Sequence, residues 1–185
     1  MDILSRAAEA FNRLLSISYS FFIVDKGCKS EIILNFAAGD FLHLSGIHYL
    51  AGNMYRDKKR FFEDALRGRI LYSDLWKTAQ KSNMPVPYDI ESRISLLTDL
   101  ENFLELPLEK LKIQRHANAR SKIKADYMFY QYRSFEPLEI SYAFTIKRNP
   151  GETYCCNSLF TSPDNSYISR KSCIIEKRER HGPRL

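Results

Sequence analysis

Leu138-Glu139-Ile140-Ser141-Tyr142-Ala143-Phe144-Thr145-Ile146-Lys147 alternates strictly, with Ile140, Tyr142, Phe144 and Ile146 on one face. A period of two built from β-branched and aromatic residues predicts a strand lying on a core. The same signal recurs on both sides of it, in Leu111–Arg115, Ala125–Tyr132, Thr153–Phe160 and Ser172–Lys177. Turn-forming residues separate the last three of these runs, at Asn149-Pro150-Gly151 and Ser162-Pro163-Asp164-Asn165. Past Pro107 the chain therefore reads as an antiparallel sheet.

Ahead of Pro107 the period changes. Ile3, Leu4, Ala7, Ala8, Phe11, Leu14 and Leu15 follow the three-four spacing of an amphipathic helix over Ile3–Ser16. Ser18–Val24 and Glu31–Phe36 read as two strands around the turn Asp25–Lys29, hence a hairpin. A helix is expected from Asp40, as N-cap, through Leu50. Another is expected from Arg60 to Arg67, stopped by Gly68. Residues 70–88 read as irregular, with Trp76 as a packing anchor and Pro85-Val86-Pro87 as a break. Residues 89–104 read as one continuous helix striped by Ile90, Ile94, Leu97, Leu100, Phe103 and Leu104. The class is α+β: a helical N-terminal part packed on a small, mostly antiparallel β-sheet, in one domain over residues 1–177 with a polar tail at 178–185.

The 185 residues carry a net charge of +6, and the excess is confined to one part of the chain. From Pro107 onward there are 15 Lys and Arg against 8 Asp and Glu, whereas the first 106 residues hold 13 against 14. A basic sheet points to a polyanionic partner, with nucleic acid foremost. Cys28, Cys155, Cys156 and Cys173 form no CxxC pair, so they read as reduced thiols of a cytoplasmic protein and not as zinc ligands. Met1-Asp2-Ile3 opens without a basic leader or apolar signal core, and no apolar run approaches membrane-spanning length, so no membrane partner is expected.

Phosphate-binding loops, dinucleotide fingerprints, HExxH and GxSxG are all absent, and no carboxylate cluster suggests two-metal chemistry. No cofactor and no metal is expected. His43, in Phe41-Leu42-His43-Leu44, is the candidate acid or base, since an imidazole titrates near neutrality; the alternative is a histidine bonded to backbone inside the fold. His48, five residues on, would stand about 140° away on a continuous helix, so the two histidines should not share a face. His116 and His181 sit among polar and basic residues and are expected to be exposed.

Arg115, Arg120, Lys122 and Lys124, together with Lys147, Arg148 and Lys171, are candidate phosphate contacts. Tyr127, Tyr130 and Tyr132 are either stacking faces for bases or core residues. Ser158, Tyr167, Ser169 and Arg170 place hydroxyls and a cation about one turn, suited to holding a phosphate, or else to guarding a sheet edge.

Three stretches resemble a known group: Asn35 to Leu50 with Lys59-Arg60-Phe61-Phe62-Glu63; Lys122-Ile123-Lys124-Ala125-Asp126-Tyr127; and Tyr154-Cys155-Cys156-Asn157-Ser158-Leu159-Phe160, leading to Asp164, Tyr167 and Glu176-Lys177. The most specific piece is His43-Leu44-Ser45-Gly46-Ile47-His48-Tyr49-Leu50. Over roughly Ser18 to Lys177 the chain is similar to the phage-associated branch of the barnase–EndoU–colicin–RelE-like nucleases. The resemblance implies a barnase/RelE-like α+β fold and metal-independent RNA cleavage, in the manner of toxins of mobile elements or phage conflict. It assigns His43 to the helix histidine, Ser158 to the polar position of the penultimate strand, and Tyr167 with Arg170 to those near the last strand. Such families often carry Gln near the last strand; this chain has Ser169-Arg170 there. The implied partners are RNA, transfer RNA among the candidates, and a cognate antitoxin or inhibitor protein. Two other readings stay open: a non-catalytic nucleic-acid-binding module, and a phage or mobile-element protein whose partner is another protein.

Overall fold

The computed structural model describes residues 2–51, 55–81, 89–116, 122–148, 150–169 and 172–183. Helix α1 (Ile3–Leu14) starts at Asp2, whose carboxylate accepts the Leu4 N–H, and buries Leu4, Ala7, Ala8, Phe11 and Leu14 along one face. Strands β1 (Ser18–Asp25) and β2 (Cys28–Asn35) form the expected hairpin, turned through Lys26 and Gly27, both at positive φ. Five strands follow the helices: β3 (Lys112–Arg115), β4 (Tyr127–Phe135), β5 (Leu138–Lys147), β6 (Tyr154–Ser162) and β7 (Ile174–His181).

The α+β class holds, but the sheet is larger than the small, mostly antiparallel one expected. All seven strands belong to one mixed sheet, in the order β3-β4-β5-β6-β2-β1-β7. Its two halves meet where β2 runs parallel to β6 through the single pair Leu34 and Tyr154. Its outer edges meet through an isolated antiparallel bridge between Ile113 and Cys173, so the sheet nearly closes into a barrel. Phe21 on β1 and Phe129 on β4 are not neighbours in the strand order, yet their ring centroids lie 4.7 Å apart across the interior. The front hairpin, expected to stand apart from the rear sheet, supplies the strands that close it.

Apolar residues divide the sheet into two layers. Phe129, Ala143, Cys156 and Leu159 join the principal core with Phe11, Phe41, Phe61 and Leu97 from the helices. Met128, Tyr130, Tyr142, Phe144 and Phe160 form a second cluster on the opposite face, covered by Ile123, Tyr167 and Ile168. Tyr127 and Tyr130 are thus core residues, each no more than 6% exposed, and not faces open to bases. Burial on both faces also accounts for β5, where Ser141, Ala143 and Thr145 are as buried as the alternating apolar set.

The helical layer departs from expectation at four places. The helix expected from Asp40 to Leu50 is two short helices, α2 (Phe41–Leu44) and α3 (His48–Ala51), parted at Gly46 with φ +75°. Asp40 does not cap α2 with its side chain; its carboxylate accepts the Ala37 N–H. Helix α4 (Lys58–Leu66) is capped by Asp57, which accepts the Arg60 N–H. Residues 72–81, expected to be irregular, form α5 (Tyr72–Lys81), with Tyr72, Leu75 and Ala79 inward at helical spacing and Trp76 packed on the core. The Pro85-Val86-Pro87 break lies outside the described residues. The long helix over 89–104 divides at Asp99 into α6 (Ile90–Thr98) and α7 (Leu100–Leu104).

Strand β7 also continues past Lys177 into the stretch expected to be a frayed tail. Arg178 donates to the Leu104 and Leu106 carbonyls at 2.7 and 2.6 Å, and Arg180 pairs with Glu101 and Glu105 at 3.1 and 2.9 Å. The fully buried Tyr19 hydroxyl donates to the same Glu105 at 2.9 Å. Burial and this carboxylate push the Tyr19 phenol well above its ordinary range.

Because Phe129 fills the closed interior, Phe129→Ala should destabilise the protein by about 3–5 kcal/mol in denaturant titration, the range of buried Phe truncations. A loss under about 1 kcal/mol would mean that the sheet does not close around it.

Candidate functional site

Gly46 makes the site possible. At φ +75° it reverses the chain between α2 and α3, and a Cβ placed there would lie 2.9 Å from Cδ of Arg93 on α6. The turn brings the His43 and His48 rings into a stack with centroids 4.5 Å apart and planes 25° apart. The straight-helix expectation that the two histidines diverge is therefore overturned: the helix between them is interrupted.

The stack lies against β6 at a β-bulge. Phe144 pairs with Ser158 and Thr145 with Cys156, which leaves Asn157 as the extra residue. The freed Asn157 carbonyl faces His43 and favours its protonated form. The Asn157 amide donates to the Lys124 carbonyl at 2.6 Å, which ties the segment before β4 to the same spot. The bulge also reverses the side-chain alternation: Cys156 faces the principal core, while Ser158 and Phe160 stand opposite Phe144 and Tyr142 on the second layer.

His43 reaches solvent, yet the protein around its ring withdraws enough water to favour the neutral imidazole. Lys58 and Arg93 push the same way, while the Asn157 carbonyl and Asp40 oppose them, and the balance lowers its pKa below the ordinary 6.5. His48 is pushed down further, to about 4, first by desolvation and then by His43, against the pull of the Leu42 carbonyl. Its buried Nδ1 has no hydrogen-bond partner.

Arg93 is the hub on the other side. Its Nε donates to Asp89 at 2.6 Å, and its guanidinium lies 5.8 Å from the Tyr49 ring centroid and 5.5 Å from that of Phe160. Tyr49 in turn packs on His48 with centroids 3.9 Å apart. Lys58, at the start of α4, is exposed and forms no ion pair among the described residues. The result is a histidine pair, neutral at pH 7, flanked by two cations and an exposed aromatic ring.

Several residues singled out in the sequence meet at this place. Ser158 directly follows the bulge residue that receives His43. Tyr167 is wedged among Tyr142, Phe144 and Phe160, with centroids 5.5 to 5.7 Å away, so it adjoins the site through Phe160. Lys124 adjoins the site through its carbonyl, which accepts the Asn157 side-chain amide, and Lys122 and Lys124 are both exposed, without ion pairs among the described residues.

The other predicted phosphate contacts are committed elsewhere. Arg115 is bonded to Asp25 at 2.5 Å and lies over Tyr127. Lys147 pairs with Glu152 at 2.6 Å. Arg148 clamps Asp40 at 2.5 Å and Asn35 at 2.7 Å, where it lines a shallow cleft of about 480 Å³ with Ser16, Ser18 and Ala37. Arg120, Arg170 and Lys171 lie outside the described residues. His116 is half-buried and not exposed as expected; its ring meets Phe144 edge-on and its Nε2 lies 3.2 Å from the Ile123 carbonyl.

The family model for the phage-Barnase-EndoU-ColicinE5/D-RelE like nuclease 4 proteins (PBECR4) matches residues 3–179. The chain belongs to this family. No curated protein and no solved structure matches it. PBECR4 membership implies a nucleic-acid substrate, in keeping with the cationic flanks of the histidine pair. The match runs through Glu179 and so takes in nearly all of β7. No described helix of this PBECR4 protein is long and apolar enough to cross a membrane, and its described residues bring together no group of three or more His, Cys, Asp or Glu. Its four cysteines are free thiols.

The residues that the sequence did not single out are Arg93, Lys58, Asn157 and Tyr49. Gly46 was the available signal, since an isolated glycine inside an apparent helix marks a turn or a close approach. Gly46→Ala should separate the histidines, because the added methyl meets Arg93 and the φ disfavours any other residue. The expected outcome is a stability loss of about 1–3 kcal/mol, with the aromatic-ring NMR contacts between His43 and His48 abolished. Retention of those contacts would show that the turn does not depend on glycine.

Proposed function

We propose that this protein is a metal-independent endoribonuclease of toxin or phage-conflict type, acting in the cytoplasm. The observation that carries the reading is a solvent-reaching His43 stacked on His48, its pKa lowered by desolvation and then by nearby Lys58 and Arg93. A neutral imidazole is ready to accept a proton, and neighbouring cations can offset charge that develops on phosphate.

In the proposed reaction His43 takes the proton of a ribose 2′-hydroxyl. The 2′-oxygen forms a bond to the adjacent phosphorus as the bond to the 5′-oxygen breaks. The leaving oxygen takes a proton from solvent, and the products are a 2′,3′-cyclic phosphate and a 5′-hydroxyl. Lys58 and the terminal nitrogens of Arg93 steady the negative charge on the phosphoryl oxygens. Arg170 is proposed to share that task, and Ser158 and Tyr167 to orient the phosphate. Lys122, Lys124 and Lys171 guide the strand. An antitoxin or inhibitor protein is the partner that this class of activity calls for.

His43→Ala should lower cleavage of total RNA or transfer RNA about 10²–10⁴-fold in excess EDTA, the usual contribution of a general acid–base group. Wild-type cleavage that stops on adding EDTA, or a fully active His43→Ala protein, would contradict the proposal. Binding without cleavage would make the protein a nucleic-acid-binding module instead.

The rate should follow the neutral form of His43, with an acid limb below pH 6.5. Lys58→Gln removes a positive neighbour, stabilises the protonated ring and raises its pKa, so the acid limb should move to higher pH. An acid limb that stays in place would separate Lys58 from His43.

A further inference from the structure

Three large apolar side chains stand exposed among the described residues: Tyr49, Phe135 and Ile174. Phe135 ends β4 against Tyr132, and Ile174 begins β7; neither ring nor side chain lies against a histidine among the described contacts. Tyr49 differs from both. It is 41% exposed, it directly follows His48 in the chain, and its ring rests on the His48 imidazole at 3.9 Å. The Arg93 guanidinium lies 5.8 Å from its centroid, and the same Arg93 is locked by Asp89 and by the Gly46 turn. The ring is therefore held in place while much of it stays in water, beside the histidine that faces Lys58.

We propose that Tyr49 is a stacking platform for an unpaired nucleobase next to the His43–His48 pair, which makes single-stranded RNA the substrate class. The inference rests on the ribonuclease reading and adds to it the state of the RNA. A fixed aromatic face accepts any base, because every base presents a π-face. The cations Arg93, near the Tyr49 ring, and Lys58, near the histidines, suit the phosphates on either side of that base. Within a duplex each base is already covered above and below, and the major groove of A-form RNA is too deep and narrow for a side chain to enter. A base must leave its stack to reach Tyr49. Tyr127 and Tyr130, the rings first considered for this task, are buried in the fold and unavailable.

The test is fluorescence anisotropy of the full chain with a labelled ten-nucleotide RNA, 2′-O-methylated throughout so that it cannot be cut by 2′-oxygen attack, and with its blunt duplex. Tyr49→Ala should weaken the single strand about 5- to 150-fold, the span that loss of one base–aromatic stack covers. Tyr49→Phe keeps the ring and should bind within about two-fold of wild type. Both variants should bind the duplex as wild type does, and circular dichroism verifies their fold. Undiminished single-strand binding by Tyr49→Ala, or an equal loss on the duplex, overturns the proposal. Should wild type hold neither RNA, the stacking platform falls together with its premise. Cleavage of ordinary RNA by the same proteins separates the two readings. If wild type cuts and Tyr49→Ala binds undiminished, only the stacking role is lost; if Tyr49→Ala loses the single strand but wild type never cuts, only the nuclease reading is lost.

Discussion

The contact between Gly46 and Arg93 is the constraint on which the rest of the site depends. A side chain at Gly46 would occupy the space of the Arg93 Cδ, so the α2–α3 turn and the α6 arginine settle against each other only because that side chain is missing. From this one approach follow the stacking of His43 on His48, the seating of Tyr49 on His48, and the placing of Arg93 between Tyr49 and Phe160. Asp89 finishes the arrangement by fixing the Arg93 Nε. Local backbone chemistry thus sets the electrostatics. Desolvation first, and then nearby positive charge, drives both imidazoles toward the neutral form, His43 adding to the push on His48.

The sheet supplies the other wall. Its strands turn back on themselves until β3 meets the residue before β7, and Phe21 meets Phe129 inside. Such curvature needs a release point, and the bulge at Asn157 is one, since an extra residue increases local bending and twist. The carbonyl of this bulge residue faces His43, and its side-chain amide donates to the Lys124 carbonyl. The site therefore sits where the sheet departs from regular pairing. Arg148, by contrast, serves the join between the halves, tying Asp40 and Asn35 beside the single parallel pair.

Much of the fold was legible in the sequence. The alternation of Ile140, Tyr142, Phe144 and Ile146 marked β5 to the residue, and the Asp25–Lys29 turn marked the front hairpin. The helical stripe of Ile3 to Leu15 marked α1. Closure of the sheet was not legible, because it rests on one parallel pair and one bridge between segments distant in sequence. Helix α5 was masked by the nearby prolines, although Tyr72, Leu75 and Ala79 keep helical spacing. The end of the last strand, past Lys177, read as a tail because Arg178 and Arg180 look solvated until their partners, the Leu104 and Leu106 carbonyls and Glu101 with Glu105, are brought to them. At the site His43 stood out as an imidazole among apolar residues. Arg93 and Lys58 were indistinguishable from other surface cations, since only packing across more than ten residues sets them beside it. Arg115, Lys147 and Arg148 likewise read as unpaired cations, because the fold had not yet set Asp25, Glu152 and Asp40 against them.

The central claim is that this turn creates a coupled pair of histidines, both neutral at pH 7. An NMR titration of the four imidazoles, with His43 and His48 assigned through single replacements, tests it most directly. The account predicts that both titrate below 6.5, with His48 near 4, and that His48 moves upward when His43 is replaced by alanine. Titration of either ring above 6.5, or a His48 indifferent to the loss of His43, would contradict it.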